Sequence, residues 1–224
     1  MDNQTKMPDR EIQLTADGSH TLYIKDIDEH YHSVNGAIQE SLHVFIDAGL
    51  KQLNKDHIRL LEIGFGTGLN AFLTFMETAV PVEYYTTELY PLEPEIIQSL
   101  NYGELISPEK KDIFRQLHTV PWNKVTQITD RFSLNKIHGD SNTCELPTTI
   151  DLIYFDAFAP DKQPEMWNPD IFNRLFQHTE KGGILTTYCA KGSVRRMMKE
   201  AGYSVERIPG PPGKREMLRA IKQY

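Results

Sequence analysis

The residues whose types and spacing carry the most chemistry stand at 60–70, Leu-Leu-Glu-Ile-Gly-Phe-Gly-Thr-Gly-Leu-Asn. The apolar run before the glycines predicts a short buried strand over 59–63. Leu69, Phe72, Leu73 and Met76 then recur at i, i+3, i+4 and i+7, which predicts a helix packed on a sheet. A glycine-rich turn between a strand and a helix lets a nucleotide-like ligand approach the main chain. Three acids follow where later strands should end. Glu88 closes a strand predicted over 82–88, and Asp140 follows one over 132–138. Asp156 closes one over 151–156. A carboxylate at the Glu88 position can accept from both hydroxyls of a ribose. Asp140 is placed to meet an adenine amino group. Asp156 should face the reacting group, with Phe158 and Pro160 as an apolar wall and Trp167 near the end of a covering loop.

The glycine spacing separates two kinds of cofactor. Dinucleotide sites favour G-x-G-x-x-G, whose third glycine lets the helix pack close to the strand. Here Gly68 comes one position early and Leu69 stands where that pattern has glycine. The run Glu62, Gly64, Gly66, Gly68 and Asn70 resembles the E-x-G-x-G-x-G motif of S-adenosylmethionine-dependent methyltransferases. These five residues, with Glu88 and Asp140, are therefore the expected cofactor contacts.

The elements that must position these groups alternate. Before the glycine loop, a strand is predicted over 21–27 and an amphipathic helix over 37–53. After it, Pro91 and Pro94 open a helix toward Leu100. Residues 104–130 read as irregular, with one short helix near 113–117. Ile171, Phe172, Leu175 and Phe176 mark a helix ahead of a strand over 183–189. Ser193 is the expected cap of a helix striped by Val194, Met197, Met198 and Ala201. Strands over 203–208 and 216–221 flank a Pro/Gly loop. Such alternation predicts a mostly parallel α/β sheet wrapped on both faces, and the resemblance of the glycine motif implies the Rossmann-like, class I methyltransferase type. Its sheet should hold seven mostly parallel strands with one antiparallel, residues 58–224, and residues 1–57 form a small N-terminal extension packing on it.

The chain has 224 residues and a net charge of −7. That length suits one α/β domain with an extension. The basic residues are uneven: residues 191–224 hold nine Lys or Arg against three Glu, net +6, which leaves −13 for the first 190. A basic segment on an acidic body can meet a phosphate backbone locally. Lys191, Arg195, Arg196, Lys214 and Arg215 are the candidates. No apolar run is long enough to span a membrane, and the start has no signal-peptide pattern. Two cysteines, Cys144 and Cys189, cannot make a zinc site alone, so no metal and a reduced, cytoplasmic setting are expected.

A narrower resemblance then appears. Asp156-Ala-Phe-Ala-Pro160 with Pro164, Met166 and Trp167 is followed by Gly182-Gly183, Val194-Arg195-Arg196, Ala201-Gly202 and Lys214-Arg-Glu-Met217. Together with 61–70, and Tyr31, Ser33, Gly36, Glu40 and 44–45 near the start, this set is similar to the MnmC-like methyltransferases over roughly 14–222. The resemblance implies methyl transfer from S-adenosylmethionine to the primary amine of 5-aminomethyl-(2-thio)uridine at the tRNA wobble position. It implies Asp156 as the catalytic group and tRNA as partner, with Tyr31 and Glu40 closing over the methionine end of the cofactor. The family's domain is often fused to a flavin-dependent oxidase, for which a chain ending at Tyr224 leaves no room. A stand-alone methyltransferase supplied by a separate enzyme is therefore expected. Two departures stand out: Glu88-Leu-Tyr-Pro replaces the usual acid-Lys-Phe-Pro, and 104–130 matches poorly. Tyr31-His-Ser33 and Glu40-Ser-Leu-His43 also resemble the aminopropyltransferase spermidine synthase, against which the 156–160 and 214–217 signatures count. A small-molecule amine methyltransferase, or a non-catalytic tRNA- or partner-binding module on the same fold, are the remaining alternatives.

Overall fold

The computed structural model describes residues 9–224, so the first eight residues of the expected extension lie outside it. Strands β1 (Arg10–Leu14), β2 (His20–Ile24) and β3 (Glu29–His30) form a three-stranded antiparallel sheet. A helical run follows: α1 (Ala37–Ser41), a π-helical segment Leu42–Asp47, and a 3-10 turn Leu50–Gln52. The periodicity over 37–53 is thus real, but the backbone changes its hydrogen-bonding pattern twice. Val44, Phe45 and Ile46 are all buried, and they join one apolar cluster with Leu60, Phe72 and Leu152 of the main sheet.

The main body contains β4 (Ile58–Ile63), α2 (Leu69–Glu77), β5 (Val82–Glu88), α3 (Pro94–Ser99), α4 (Tyr102–Ile106) and α5 (Lys111–Thr119). After these come β6 (Val125–Thr129), β7 (Phe132–His138), β8 (Ile150–Phe155), α6 (Pro169–His178), β9 (Thr179–Thr187), α7 (Gly192–Glu200), β10 (Ser204–Pro209) and β11 (Glu216–Ile221). The sheet order is β10-β11-β9-β8-β4-β5-β7-β6. Pairings from β7 through β5, β4 and β8 to β9 are parallel. β11 lies antiparallel between β9 and β10, as the closing hairpin predicts.

Among the described residues the main sheet has eight strands, which corrects the expected seven. β6 adds antiparallel to β7 at the edge, inside the region read as irregular. Its weak signal has a physical cause: in Val-Thr-Gln-Ile-Thr the apolar residues Val125 and Ile128 stand three apart, so no apolar alternation marks the strand. β8 is buried at all six positions, as expected of a central parallel strand covered on both faces. Two smaller corrections concern ends. β9 starts at Thr179, with a register shift against β8 near Ile150 and Leu152. α7 has Lys191 at its N-cap position, and Ser193 lies within the first turn without capping it.

Candidate active site

Successive strands leave β4 toward opposite edges of the sheet, β5 on one side and β8 on the other. A crevice opens outside the carboxyl ends at such a switch point. Here it is a cavity of about 430 Å³ lined by the glycine loop, the ends of β5, β7 and β8, and the N-terminal segment. That volume is in the range of small-molecule and cofactor sites.

The glycine loop is built from left-handed backbone: φ is 91° at Gly64, 49° at Gly66 and 69° at Gly68. A Cβ on Gly64 would lie 2.9 Å from the Asp156 carbonyl oxygen, and one on Gly66 would lie 3.2 Å from the Tyr31 ring. Glycine is thus required by angle and by space. Glu88 holds the loop as well as facing the cavity. Its Oε2 accepts from the Gly66 N–H at 2.9 Å and its Oε1 from the Tyr90 N–H at 2.9 Å. Each oxygen keeps a further lone pair for a ligand hydroxyl. Asp140 lines the same end, with Oδ1 accepting from the Asn142 backbone and side-chain amides.

The loop is also gripped from behind by residues the motif reading missed. Thr67 Oγ1 lies 2.7 Å from His32 Nε2, and the Thr67 carbonyl accepts from His118 Nε2 at 3.1 Å. Burial pulls His32 down to about 4 and His118 to about 3, so both rings are neutral at neutral pH. His118 belongs to α5, so the poorly matching region supplies a wall of the cofactor loop. Below it the buried Lys136 ammonium sits 4.6 Å from the Trp122 ring centre and donates to the His118 carbonyl. Burial lowers its pKa to about 8. No spacing signal marks these groups, because they come from three separate elements.

Tyr31 stands over the loop, edge-on to Phe158 with ring centres 5.0 Å apart. Its hydroxyl accepts from Arg10 Nε at 2.9 Å. The Arg10 side chain is fully buried and also donates to both Glu93 oxygens and to the Tyr90 carbonyl at 2.7 Å. One arginine therefore ties β1, Tyr31 and the segment after β5 together. Replacing Arg10 by Met should cost about 2 kcal/mol, since charge-assisted bonds are lost but Glu93 stays partly in water. Urea unfolding with cofactor titration checks this. Unchanged stability and unchanged affinity would contradict the role.

Asp156 occupies the other end of the cavity. Its Oδ2 accepts from Asn70 Nδ2 at 2.8 Å. It is partly accessible toward the cavity, yet burial pushes its carboxyl up to about 7, against the Asn70 bond and assisted by Glu40. Glu40 also lines the cavity, bonded to the Ser33 N–H at 2.8 Å and to Lys214 Nζ at 2.7 Å. Ala157 and Phe158, the next two residues, give this end apolar surface, while Met166 lines the cavity beside Asn142 on the Asp140 side.

Several expected contacts are placed elsewhere. Glu62 is fully buried and does not line the cavity. Burial, then the Asp156 charge, raises its pKa well above the ordinary value and favours the neutral acid. Thr86, Asn70 and Tyr84 face its carboxyl, although among the described residues neither oxygen has a well-formed hydrogen bond. Gly68 lies behind the loop against His118 and Phe65. Trp167 is buried on Phe155, and its Nε1 donates to the Phe158 carbonyl at 2.7 Å. It anchors the loop and cannot stack on a substrate base. Pro160 is off the cavity lining. Arg195 and Arg196 lie on α7, and Arg215 is exposed on the β10–β11 loop. Lys214 is turned inward, against the expectation of a phosphate contact. Among the described residues no cluster of three or more His, Cys, Asp or Glu could hold a metal, and no helix is long and apolar enough to cross a membrane.

A strand-turn-helix glycine loop, an acid ending the next strand and an acid at the switch point together define a class I methyltransferase site. The cradle fits S-adenosylmethionine, because a side chain at Gly64 or Gly66 would fill it and Glu88 and Asp140 offer acceptors at one end. The comparisons agree. A family model described as S-adenosyl-L-methionine-dependent methyltransferase matches residues 108–223. The bifunctional protein MnmC of Ralstonia nicotianae, named for tRNA 5-methylaminomethyl-2-thiouridine biosynthesis, is 30% identical over 219 residues, covering 92% of this chain and 33% of that protein. The protein of that name from Leptospira interrogans is 31% identical over 226 residues, covering 92% and 34%. Among solved structures, MnmC2 from Aquifex aeolicus superposes with a TM-score of 0.72 at 29% identity, over 96% of this chain and 71% of that one. Spermidine synthase from Thermotoga maritima shares the fold alone, with a TM-score of 0.59 at 9% identity, over 98% and 70%. The chain belongs to the S-adenosyl-L-methionine-dependent methyltransferase family and is MnmC-like within it. It spans about a third of the length of the curated relatives it matches.

Proposed function

We propose that this protein methylates the primary amine of 5-aminomethyl-(2-thio)uridine at the wobble position of tRNA, giving the 5-methylaminomethyl nucleoside. The observation that carries the reading is Asp156, a carboxylate raised to about 7 at the apolar reacting end of the cavity. The MnmC relatives, named for tRNA 5-methylaminomethyl-2-thiouridine biosynthesis, support the tRNA substrate.

Bound S-adenosylmethionine would supply an electrophilic methyl group for in-line displacement. The protein's task is to present a neutral amine to it. A free alkylamine with a pKa of ~10.4 is neutral only about once in a few thousand molecules at pH 7, a penalty of roughly 4–5 kcal/mol. The apolar wall of Ala157 and Phe158 disfavours the cation. Asp156 accepts an amine hydrogen bond and orients the lone pair, with proton removal as its second role. Asn70 fixes the carboxylate for this. Glu88 and Asp140 take the ribose and adenine end of the cofactor. Tyr31 and Glu40 close over the rest. Arg195, Arg196 and Arg215 remain the candidates for tRNA phosphates.

The test uses bulk tRNA from cells that accumulate the aminomethyl nucleoside, with labelled S-adenosylmethionine and nucleoside digestion. Label should appear in methylaminomethyl-uridine and be absent with tRNA lacking the precursor. Cofactor binding without tRNA labelling would instead favour a small-molecule amine acceptor.

A further inference from the structure

The cavity is lopsided in charge. Its lining carries five carboxylates, from Glu29, Glu40, Glu88, Asp140 and Asp156, against two Lys or Arg, Arg10 and Lys214. Arg10 is committed to Glu93 outside the lining. An acidic cavity attracts a sulfonium, but it also stabilises an amine as ammonium, which cannot attack a methyl group. Among the described residues of the lining, Lys214 is the cation left to oppose that effect at the reacting end. It comes from the loop between β10 and β11, far from the glycine motif in sequence. Its Nζ lies 2.7 Å from Glu40 Oε1 and 4.0 Å from the centre of the Tyr188 ring. Tyr188 in turn donates to the Ala157 carbonyl at 2.8 Å, next to Asp156. Glu40 is held on its other oxygen by the Ser33 N–H, so the pair is fixed at both ends.

We propose that Lys214, paired with Glu40, is a positioning residue for catalysis: its ammonium sets the field at the Asp156 end, keeping that carboxylate ionised and disfavouring the cationic form of the incoming amine. This rests on the amine-methylating reading above. The charged and titratable groups facing Asp156 are Glu62 from β4, Tyr84 from β5, Glu40 from α1, Lys214 from the β10–β11 loop and Tyr188 after β9. Of these, Glu62 favours its neutral form and Tyr84 and Tyr188 are held protonated by burial, so Glu40 and Lys214 are the pair whose charges act. They act with opposite sign, which gives the proposal its test. Removing the cation must raise the Asp156 midpoint and the amine pKa together. Removing the anion must lower both.

The Asp156 carboxyl would be titrated by carbon-13 NMR in the full chain, with Asp156→Asn assigning the signal. Lys214→Met should raise its midpoint by about one pH unit, as expected for loss of a nearby opposite charge. Glu40→Gln should lower it, and Lys214→Arg should leave it near the wild-type value. The acid limb of kcat/KM on aminomethyl tRNA should move in the same directions. A midpoint that moves with neither variant, or the same way with both, overturns the assignment. Opposite movements in a protein that never methylates tRNA would leave the assignment standing and remove the substrate reading instead. Should Lys214→Met fail to fold, Lys214→Gln removes the cation while keeping a polar end for Glu40, so the sign test against Glu40→Gln survives.

Discussion

Asp156→Asn should lower kcat by about 10²- to 10⁴-fold, the range for loss of a positioned acid–base group, while the cofactor dissociation constant changes less than about threefold. The split follows from geometry. On the proposed reading Glu88, Asp140 and the glycine loop take the nucleoside end of the cofactor, whereas Asp156 and Phe158 line the reacting end. Asparagine keeps the size of the side chain and still offers an oxygen to Asn70 Nδ2, so the cavity should keep its shape. The pH dependence gives a second reading. Wild-type activity requires the carboxylate, so it should fall as pH drops through about 7, where burial has moved the group. Residual activity in the asparagine variant should lack that limb. Isothermal titration for the cofactor and single-turnover kinetics across pH 5–9 decide the matter. Equal losses of binding and rate would remove Asp156 from the reacting end.

Gly64→Val should do the reverse and damage binding first. The backbone at Gly64 has φ of 91°, which a β-branched residue resists. Its Cβ would also meet the Asp156 carbonyl oxygen at 2.9 Å, and that atom is backbone. The carbonyl cannot swing away freely, because the Asp156 N–H donates to Ile63 at 3.1 Å and Gly64 N–H donates to Thr87 at 3.1 Å. The substitution must therefore spread the ends of β4, β5 and β8, on which the loop and Asp156 both depend. Strain and overpacking of this kind cost on the order of 2–4 kcal/mol. Cofactor affinity should fall more than about 100-fold, and the unfolding midpoint should drop by several degrees. Calorimetry of the variant with and without cofactor checks both. Near-normal affinity would mean that the loop binds nothing that approaches Gly64.

Much of this architecture was legible before any coordinates. Strand-forming runs, the helix stripe at 69–76 and the three glycines are local signals, because period and backbone permissiveness reside in neighbouring residues. The acids Glu88, Asp140 and Asp156 were readable for the same reason: each ends a run whose direction the alternating pattern implies. β6 was not legible, since its two apolar residues, Val125 and Ile128, stand three apart and leave no alternation.

The sequence by itself therefore determined the class of fold, the glycine cradle and which carboxylates crown the sheet. Only the tertiary structure decided what faces the ligand. It withdrew Glu62 and Trp167 into the core and turned Lys214 from a presumed phosphate contact into a partner of Glu40. It also brought His32, His118 and Arg10 to the back and side of the cofactor loop. The reason is one of range. Conformational preference is set within a few residues, whereas exposure, ion pairing and the field at Asp156 depend on groups far apart in the chain, such as Arg10 with Glu93 at a separation of 83 and Glu40 with Lys214 at 174.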